Sequence, residues 1–400
     1  MVAYSSAVSK LETSADVPEE ARQATHHVKG SDGRTIKFRN PHPSAGELPS
    51  SWEIARKMIW GRLTGKTHAP DTSNVKIPTV EPQFLATRTG STALRATWLG
   101  HACYFVEFPS GLRVLFDPVF EDRCAPVQWL GPKRYTPPAC TLSALPAVDA
   151  VVISHSHYDH LSLPSVRELA QRHPEAHFFV GLGLETWFRS SGITKVTEMD
   201  WWQDSELVLH RAKTETAAAD AEAGDHGAAP DTISARITCL PCQHSSARTG
   251  ADKDHTLWAS WAVSSGDKSV WFGGDTGYRR VPELPVHIDD YGPEYDSLPR
   301  CPQFGQIGRL RGPFDLGLIP IGAYKPRFLF SWMHANPYDA VEIFKETRCK
   351  RAMGIHWGTW VLTDEEVEEP PKLLREALKR SGIPETGVFD VCAVGESREF

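Results

Sequence analysis

The stretch Ser154-His155-Ser156-His157-Tyr158-Asp159-His160 closes an apolar run that extends from Val148 to Ile153. A run of this kind predicts a buried strand whose end presents the following side chains together. His155 and His157 alternate as on an extended segment and can meet at one ion, while Asp159 and His160 turn toward a second. The stretch therefore predicts half of a two-metal site for zinc or a similar divalent ion.

Three later runs with strand character also end at candidate ligands. They are His244 after residues 233–240, Asp275 after residues 269–272, and His356 after residues 351–355. One histidine at a strand end is usually structural, but repeated delivery of metal-type side chains favours a site on which they converge. Glycines directly before Asp275 would allow the backbone to approach an ion closely. His101, at a turn between two predicted strands, could face the same site or bond locally.

Length and charge limit the class of protein. The chain has 400 residues, enough for a large hydrophobic core, and a net charge of -7 without a basic block, so nucleic acid is not expected as a partner. No run approaches the roughly 18 apolar residues of a membrane span. Acidic residues near the start argue against a secretion signal. We therefore expect an intracellular protein, cytoplasmic or peripheral to a membrane, with its eight cysteines as free thiols.

Composition divides the chain into three parts. Residues 1–48 are polar and aperiodic, which predicts a flexible N-terminal arm. Residues 49–93 contain a short basic amphipathic helix with Trp52 and Trp60, followed by a linker. That helix could dock in a membrane interface or pack on the main domain, and periodicity does not separate the two. Residues 94–400 form the predicted main domain, with surface insertions at about 211–232 and 285–311.

The order of ligands resembles that of the metallo-β-lactamase superfamily. Longer strings resemble its N-acylphosphatidylethanolamine-hydrolysing phospholipase D family: TWLGHA at 97–102, GPKR at 131–134, GGDTGY at 273–278, GPFD at 312–315, IPIGAY at 319–324 and IHWGT at 355–359. The resemblance covers about residues 50–398. It implies an α/β fold, the αββα sandwich with metals at one edge, here carrying an N-terminal extension and surface insertions.

The resemblance also implies a role for each ligand. One zinc ion would be held by His155, His157 and His244, and the other by Asp159, His160 and His356, with Asp275 between the two. A hydroxide shared by the two ions would attack the phosphorus of an N-acylated phosphatidylethanolamine and release an N-acylethanolamine and phosphatidic acid. Asp159, Asp275 and His334 are expected in catalysis, with His334 binding the substrate or protonating the leaving alkoxide.

Two stretches depart from the family pattern and become candidate substrate contacts. Gln128-Trp129-Leu130 stands where the animal enzymes have Gln-Tyr before Met-Gly-Pro-Lys-Arg, and Met333-His334 stands where they have Gln-His. Expected partners are a phospholipid and a membrane surface, and a homodimer is left open. The enzymatic alternative is a lactonase or another phosphoester hydrolase acting on a soluble substrate. The non-enzymatic alternative, a metal-stabilised membrane adaptor, has no need of two adjacent ions.

Overall fold

Two large β-sheets form the centre of the computed structural model, which describes residues 3–12, 16–46, 51–65, 68–212, 230–285 and 288–400. The eight-stranded sheet contains, in spatial order, β1 (Tyr4–Lys10), β10 (Asp204–Arg211), β11 (Thr232–Leu240), β12 (Ser260–Ser265), β13 (Lys268–Phe272), β14 (Phe314–Pro320), β15 (Cys349–Ile355) and β16 (Phe389–Asp390). The seven-stranded sheet contains β17 (Ser397–Glu399), β4 (Arg95–Gly100), β5 (Cys103–Glu107), β6 (Arg113–Phe116), β7 (Ala150–Val152), β8 (His177–Gly181) and β9 (Val196–Met199). A separate hairpin pairs β2 (His27–Lys29) with β3 (Thr35–Phe38).

The chain has eight α-helices among the described residues, and five of them cover the outer faces of the sheets. The eight are α1 (Glu19–Arg22), α2 (Ser51–Leu63), α3 (Leu163–Arg172), α4 (Glu185–Ser190), α5 (Gln303–Leu310), α6 (Arg327–Phe330), α7 (Pro337–Thr347) and α8 (Glu369–Arg380). Apolar residues of α3 and α4 share a core with the seven-stranded sheet, whereas α5, α7 and α8 pack on one another and on the eight-stranded sheet. The layers run helix, sheet, sheet, helix, which confirms the predicted αββα sandwich.

The strand before the opening motif shows how this layering follows from the sequence. In β7, Ala150 and Val152 belong to the core between the sheets, whereas Val151 and the following Ile153 belong to the core beneath α3 and α4. All four side chains are fully buried. Successive side chains of a strand point to opposite faces, and a parallel central strand is buried on both, so a continuous apolar run is required there.

Strand directions bring the predicted ligands to one edge of the sandwich. In the seven-stranded sheet, β7 pairs parallel with β6. Strand β4 has the same direction as β6, because β5 lies between them and pairs antiparallel with both. In the other sheet, β13 and β15 both pair parallel with β14. Strand β11 has the same direction as β13, because β12 lies between them and pairs antiparallel with both. The carboxyl ends of these strands therefore lie at a common edge of each sheet.

The N-terminal part corrects the prediction of a flexible arm over residues 1–48. Strand β1 pairs antiparallel with β10 along its whole length, from Tyr4 beside Arg211 to Lys10 beside Ser205. Further along, the β2–β3 hairpin packs Phe38 into the main core. An edge strand needs few apolar side chains because its pairing comes from the backbone of its neighbour, so the polar composition concealed it.

The two predicted insertions differ in outcome. Most of the first, residues 213–229, lies outside the described residues, and its ends connect the adjacent strands β10 and β11. The second, at 285–311, was predicted to lack a clear period, yet it contains α5, which buries Phe304 and Ile307. That helix is short and follows a loop rich in proline and glycine, so its period extends over too few residues to be recognised.

Two other expectations bear on location and redox state. No helix among the described ranges is both long and apolar enough to cross a bilayer. All eight cysteines are free thiols, and Cys239 and Cys242 are buried among apolar strand residues.

Candidate metal centre

Five strand ends meet at the shared edge and carry the predicted ligands. The opening motif follows β7, His101 follows β4, and the three later candidates follow β11, β13 and β15. The side chains form two groups. The trihistidine group contains His155, His157 and His244, and the mixed group contains His101, Asp159, His160 and His356. Their ligand atoms lie within 4.8 Å of one another in each group.

In the trihistidine group, the nitrogens point at a common centre. His155 Nε2 lies 2.7 Å from His157 Nδ1, and His244 Nε2 lies 3.3 Å from the same nitrogen. The opposite nitrogens of two rings are bonded elsewhere: His155 Nδ1 contacts the Ser154 hydroxyl at 2.9 Å, and His244 Nδ1 donates to the Met333 carbonyl at 2.8 Å. These outer bonds fix the rings so that their lone pairs face inward.

In the mixed group, Asp159 is the central side chain. Its Oδ2 lies 3.1 Å from His101 Nε2, 3.3 Å from His356 Nε2 and 3.4 Å from His160 Nε2. The His101 ring packs 4.2 Å from the ring of His356. From the turn between β4 and β5, the His101 side chain therefore joins the edge cluster rather than bonding locally.

Asp275 lies between the two groups. Its Oδ2 is 3.0 Å from His356 Nε2 and 3.2 Å from His160 Nε2 on one side. On the other side it is 3.7 Å from His244 Nε2 and 3.9 Å from His155 Nε2. One carboxylate oxygen is thus within reach of both groups.

The donor set fits metal ions. Within the described part of the chain, His160 Nε2 and Asp275 Oδ1 are buried without a hydrogen-bond partner. Buried polar atoms are normally paired, so such orphans at the centre of a ligand cluster are what an ion would satisfy. Imidazole nitrogens and carboxylate oxygens are ligands that zinc and similar divalent ions accept.

Comparison with known proteins agrees with this geometry. Residues 112–357 match the family model described as a beta-lactamase superfamily domain. The N-acyl-phosphatidylethanolamine-hydrolyzing phospholipase D 1 of Caenorhabditis elegans is 38% identical over 75% of this chain and 74% of its own length. The chain belongs to this phospholipase D family of the metallo-β-lactamase superfamily. The chain is accordingly a metal-dependent hydrolase.

Two further similarities are weaker. The mitochondrial N-acyl-phosphatidylethanolamine-hydrolyzing phospholipase D of Saccharomyces cerevisiae is 28% identical over 72% of this chain, which spans about half (52%) of that protein. Among solved structures, a metallo hydrolase from the archaeon Ignicoccus hospitalis superposes with a TM-score of 0.48 at 19% identity, over 77% of this chain and 99% of its own.

Electrostatics distinguish the two groups of this metallo-β-lactamase edge. Burial, reinforced by the neighbouring rings, lowers the pKa of all three imidazoles in the trihistidine group, so they are neutral at physiological pH. Burial would also lower the pKa of His160, but the carboxylates of Asp275, Asp159 and Asp117 outweigh it and raise that pKa well above its usual value. The mixed group is therefore the one in which carboxylates surround an imidazole.

Asp117 is a residue of the site that sequence reasoning missed. It follows β6, is fully buried, and its Oδ2 accepts from His160 Nδ1 at 2.6 Å and from the Ser154 hydroxyl at 2.6 Å. The Ser154 backbone N–H donates to the other oxygen at 2.7 Å. A carboxylate directly after an apolar strand was the available signal, the same one that identified Asp275.

Two more distant residues also hold the ligand segments. The Arg248 guanidinium donates to the carbonyls of Ser156 and Leu161, each at 2.8 Å, and so spans the opening motif. From the N-terminal segment, the Asn40 amide donates to the His244 carbonyl at 2.8 Å and accepts from the His244 N–H at 3.2 Å. Neither could be assigned from a motif, because each acts on the backbone across a long stretch of sequence.

Backbone strain concentrates at the same edge. His101, Asp117 and His356 have positive φ angles of 52°, 39° and 63° although none is glycine. Such conformations cost of the order of 1–3 kcal/mol each and persist where the surroundings impose them, commonly at functional sites. Gly274 has a φ of 57° and lies against Ser154, where an added Cβ would come within 2.6 Å of the serine Cβ. The glycine before Asp275 thus allows the two sheets' ligand loops to approach each other.

The candidate substrate residues are dispersed. His334 lies in the cluster, with its Nδ1 3.8 Å from Asp275 Oδ2 and its ring stacked 5.2 Å from that of His356. Met333 contributes its carbonyl to His244. Gln128 closes its own turn through two hydrogen bonds with the Arg123 backbone, and Trp129 is 77% exposed. The structure thus joins Met333 and His334 to the metal centre, while Gln128 and Trp129 lie on a surface loop.

Proposed function

We propose that this protein is a zinc-dependent phosphodiesterase that hydrolyses N-acylphosphatidylethanolamine at a membrane surface to N-acylethanolamine and phosphatidic acid. The observation that carries the proposal is the position of Asp275 Oδ2 within 3.0–3.9 Å of nitrogens from both groups. Such an arrangement suits a pair of ions rather than a single one. The names of the relatives from Caenorhabditis elegans and Saccharomyces cerevisiae support the choice of lipid.

In this proposal the trihistidine group holds one zinc ion, and Asp159, His160 and His356 hold the other. Asp275 serves both. Two such ions, when bound, lower the pKa of a shared water and stabilise the attacking and leaving oxygens of an in-line displacement at phosphorus. The outer partners keep the ligands oriented, since Asp117 and the Met333 carbonyl each fix the ring of one histidine.

His334 is assigned to substrate binding rather than to proton donation. Burial lowers its pKa to about 3, so the ring is neutral at physiological pH. A neutral imidazole still donates an N–H hydrogen bond, and His334 Nδ1 is buried without a partner among the described residues. We expect this ring to bind an oxygen of the phosphodiester.

The surroundings of the centre suit a lipid surface. A cleft beside His101 and His356 is lined by Trp360, Leu362 and other residues of the segment 357–367. Helix α2 flanks this cleft through an ion pair of 3.1 Å between Arg62 and Asp364. Its large apolar side chains are left in solvent: Trp52 74%, Ile59 58%, Trp60 64% and Leu63 76% exposed. The apolar side chains of α2 do not form one stripe, so the predicted amphipathic pattern is not present. Exposed tryptophans can still enter the headgroup region of a bilayer, because the indole has an apolar body and a polar N–H.

A second exposed apolar feature lies on the neighbouring loop. Trp129 and Leu130 are 77% and 61% exposed. The loop is tied to the cleft because the Trp360 indole donates to the Asp122 carbonyl at 3.1 Å, and the Arg134 guanidinium stacks 4.1 Å from the Trp360 ring. Two exposed apolar features that each contact a residue of the cleft segment favour docking of the cleft on a bilayer.

The reaction is tested by product analysis. The zinc-loaded protein is incubated with N-acylphosphatidylethanolamine in water labelled with heavy oxygen, and the products are identified by mass. We expect N-acylethanolamine without label and phosphatidic acid that carries one labelled oxygen, because water attacks phosphorus. Diacylglycerol as the product would contradict the bond assignment, and turnover of a soluble lactone panel without lipid turnover would favour the lactonase alternative.

Membrane docking is tested with the double variant Trp52→Ala/Trp60→Ala. Burying one large apolar side chain contributes about 1.5–3 kcal/mol, so vesicle binding should fall at least tenfold. Hydrolysis of a short-chain, monomeric substrate should be unchanged. The matched control is Ile36→Ala, an exposed apolar residue of the β2–β3 hairpin that should bind vesicles as the wild type does. Equal vesicle binding by the double variant would disprove docking through α2.

A further inference from the structure

A third histidine and carboxylate cluster lies outside the metal centre. His26 directly precedes β2, His27 begins it, and Asp200 lies in the turn between β9 and β10. The cluster therefore joins the N-terminal segment to the main domain across more than 170 residues of sequence. Nothing in the proposed hydrolysis uses these side chains.

The Nε2 atom of each ring faces the Asp200 carboxylate. His26 Nε2 is 2.7 Å from Asp200 Oδ1, and His27 Nε2 is 2.9 Å from Asp200 Oδ2. The two nitrogens and a carboxylate oxygen all lie within 4.8 Å of one another. Two imidazoles and one carboxylate are ligands that zinc accepts, and a water would complete a four-coordinate site.

The rings are held in place by partners outside the ligand set. His27 Nδ1 lies 2.8 Å from the Thr35 hydroxyl, which can accept its proton and leave Nε2 free to bind a metal. The His26 ring stacks on Trp201 at 4.3 Å with an interplanar angle of 18°, and the His27 ring meets Phe38 edge-on at 5.2 Å. These contacts orient both rings toward Asp200 without a bound ion, so the ligand set is preorganised.

The Asp200 carboxylate is partly exposed, so an ion can reach the cluster from solvent. The His26 and His27 side chains are 3% and 10% exposed, whereas that of Asp200 is 18% exposed. An ion can therefore reach the carboxylate from solvent while the nitrogens lie in the protein. We propose that His26, His27 and Asp200 bind a third divalent cation of the zinc class, which fastens the N-terminal segment to the main domain.

A cation bound by His26, His27 and Asp200 would also stabilise the later part of the N-terminal segment, which contacts the metal centre. Past the β2–β3 hairpin, Asn40 pairs with the backbone of His244, and the Ser44 hydroxyl donates to Gln243 Oε1 at 2.5 Å. The cation fastens the start of a segment whose later residues support a ligand of the first ion. Its own role is structural, because none of its three ligands lines the cleft or belongs to the metal centre.

The test measures zinc per chain in the full-length protein by elemental analysis after removal of unbound metal. His27→Gln is the decisive variant, because glutamine can still donate a hydrogen bond to Asp200 but no longer offers an imidazole nitrogen. We expect the wild type to hold one zinc ion per chain more than His27→Gln or Asp200→Asn. Zinc should also raise the midpoint of thermal unfolding less in these variants than in the wild type.

Two controls separate this site from its alternatives. His68→Gln removes another histidine bonded to a carboxylate, Glu366 at 3.0 Å, and should keep the wild-type zinc content. In an Asp275→Asn background, where the main centre is disabled, His27→Gln should still lower the zinc content by one ion. This readout needs no activity, so failure of the proposed hydrolysis leaves it intact. Equal zinc content in folded His27→Gln and wild type would establish a purely hydrogen-bonded triad and overturn the site.

Discussion

Four ligand candidates of the metal centre come from one turn after β7, whereas His244, Asp275 and His356 come from three separate strand ends of the other sheet. The first half is held mainly by Asp117 at the neighbouring strand end, which fixes both His160 and Ser154, and the more distant Arg248 spans the turn. The second half depends on sheet register and on contacts from remote segments, including Asn40 and the Met333 carbonyl.

The two halves should therefore respond differently to the loss of a residue that supports the ligands. In the first half, one carboxylate supports several groups, so its loss should affect all of them together. In the second half, Asn40 and the Met333 carbonyl both support His244, so removal of one of these contacts should have a limited effect. Asp275 is the exception, because it serves both halves.

The largest effect is expected from Asp275→Asn, which removes the charge shared by the two halves. Several kcal/mol of transition-state stabilisation should be lost, which corresponds to roughly a thousandfold decrease in kcat/KM. Zinc content should fall as well. Asp315→Asn is the control, since that carboxylate binds Lys350 away from the edge and should leave kcat/KM unchanged. Near-normal activity of Asp275→Asn would break the two-ion interpretation.

A smaller loss is expected from Asp117→Asn. The amide cannot replace the charged acceptor of His160 Nδ1, so zinc affinity or kcat should fall about 10–100-fold. The control is Asp149→Asn at the opposite end of β7, where a buried ion pair with Arg88 at 2.7 Å supports the fold. That control should lower the free energy of unfolding by about 3–5 kcal/mol without changing zinc affinity. If both variants lowered zinc affinity equally, the effect of Asp117 would be one of general stability.

The smallest effect is expected from Asn40→Ala. Two hydrogen bonds to the His244 backbone are lost, with a joint net contribution of about 1–3 kcal/mol. Because only part of this loss is expected to reach the transition state, kcat/KM should fall about fivefold to tenfold. Asn74→Ala, at an exposed position of the linker, should have no effect. A loss as large as that of Asp117→Asn would show that the second half depends on one outer support as strongly as the first.

Elements determined by neighbouring residues were predicted from the sequence, whereas elements stabilised by remote contacts were not. The opening motif was recognisable because its ligands are adjacent and follow an apolar strand, and Ser162 with Pro164 correctly predicted the start of α3, where the Ser162 hydroxyl accepts from the Ser165 N–H. Strand β1 and helix α5 were missed. The former is stabilised by backbone pairing to β10, and the latter by packing against α7, and neither interaction leaves a strong local pattern.

The sequence by itself determined the ligand types, their order and the strands that carry them, because side-chain alternation and strand ends are local properties. The family resemblance implied which ligands share an ion and that Asp275 lies between them. Only the tertiary structure decided that His101 joins the mixed group and that Asp117, Arg248 and Asn40 hold the ligand segments. Those relations depend on the directions and packing of two sheets. Residues far apart in sequence meet at this edge only because β7, β11, β13 and β15 all end there.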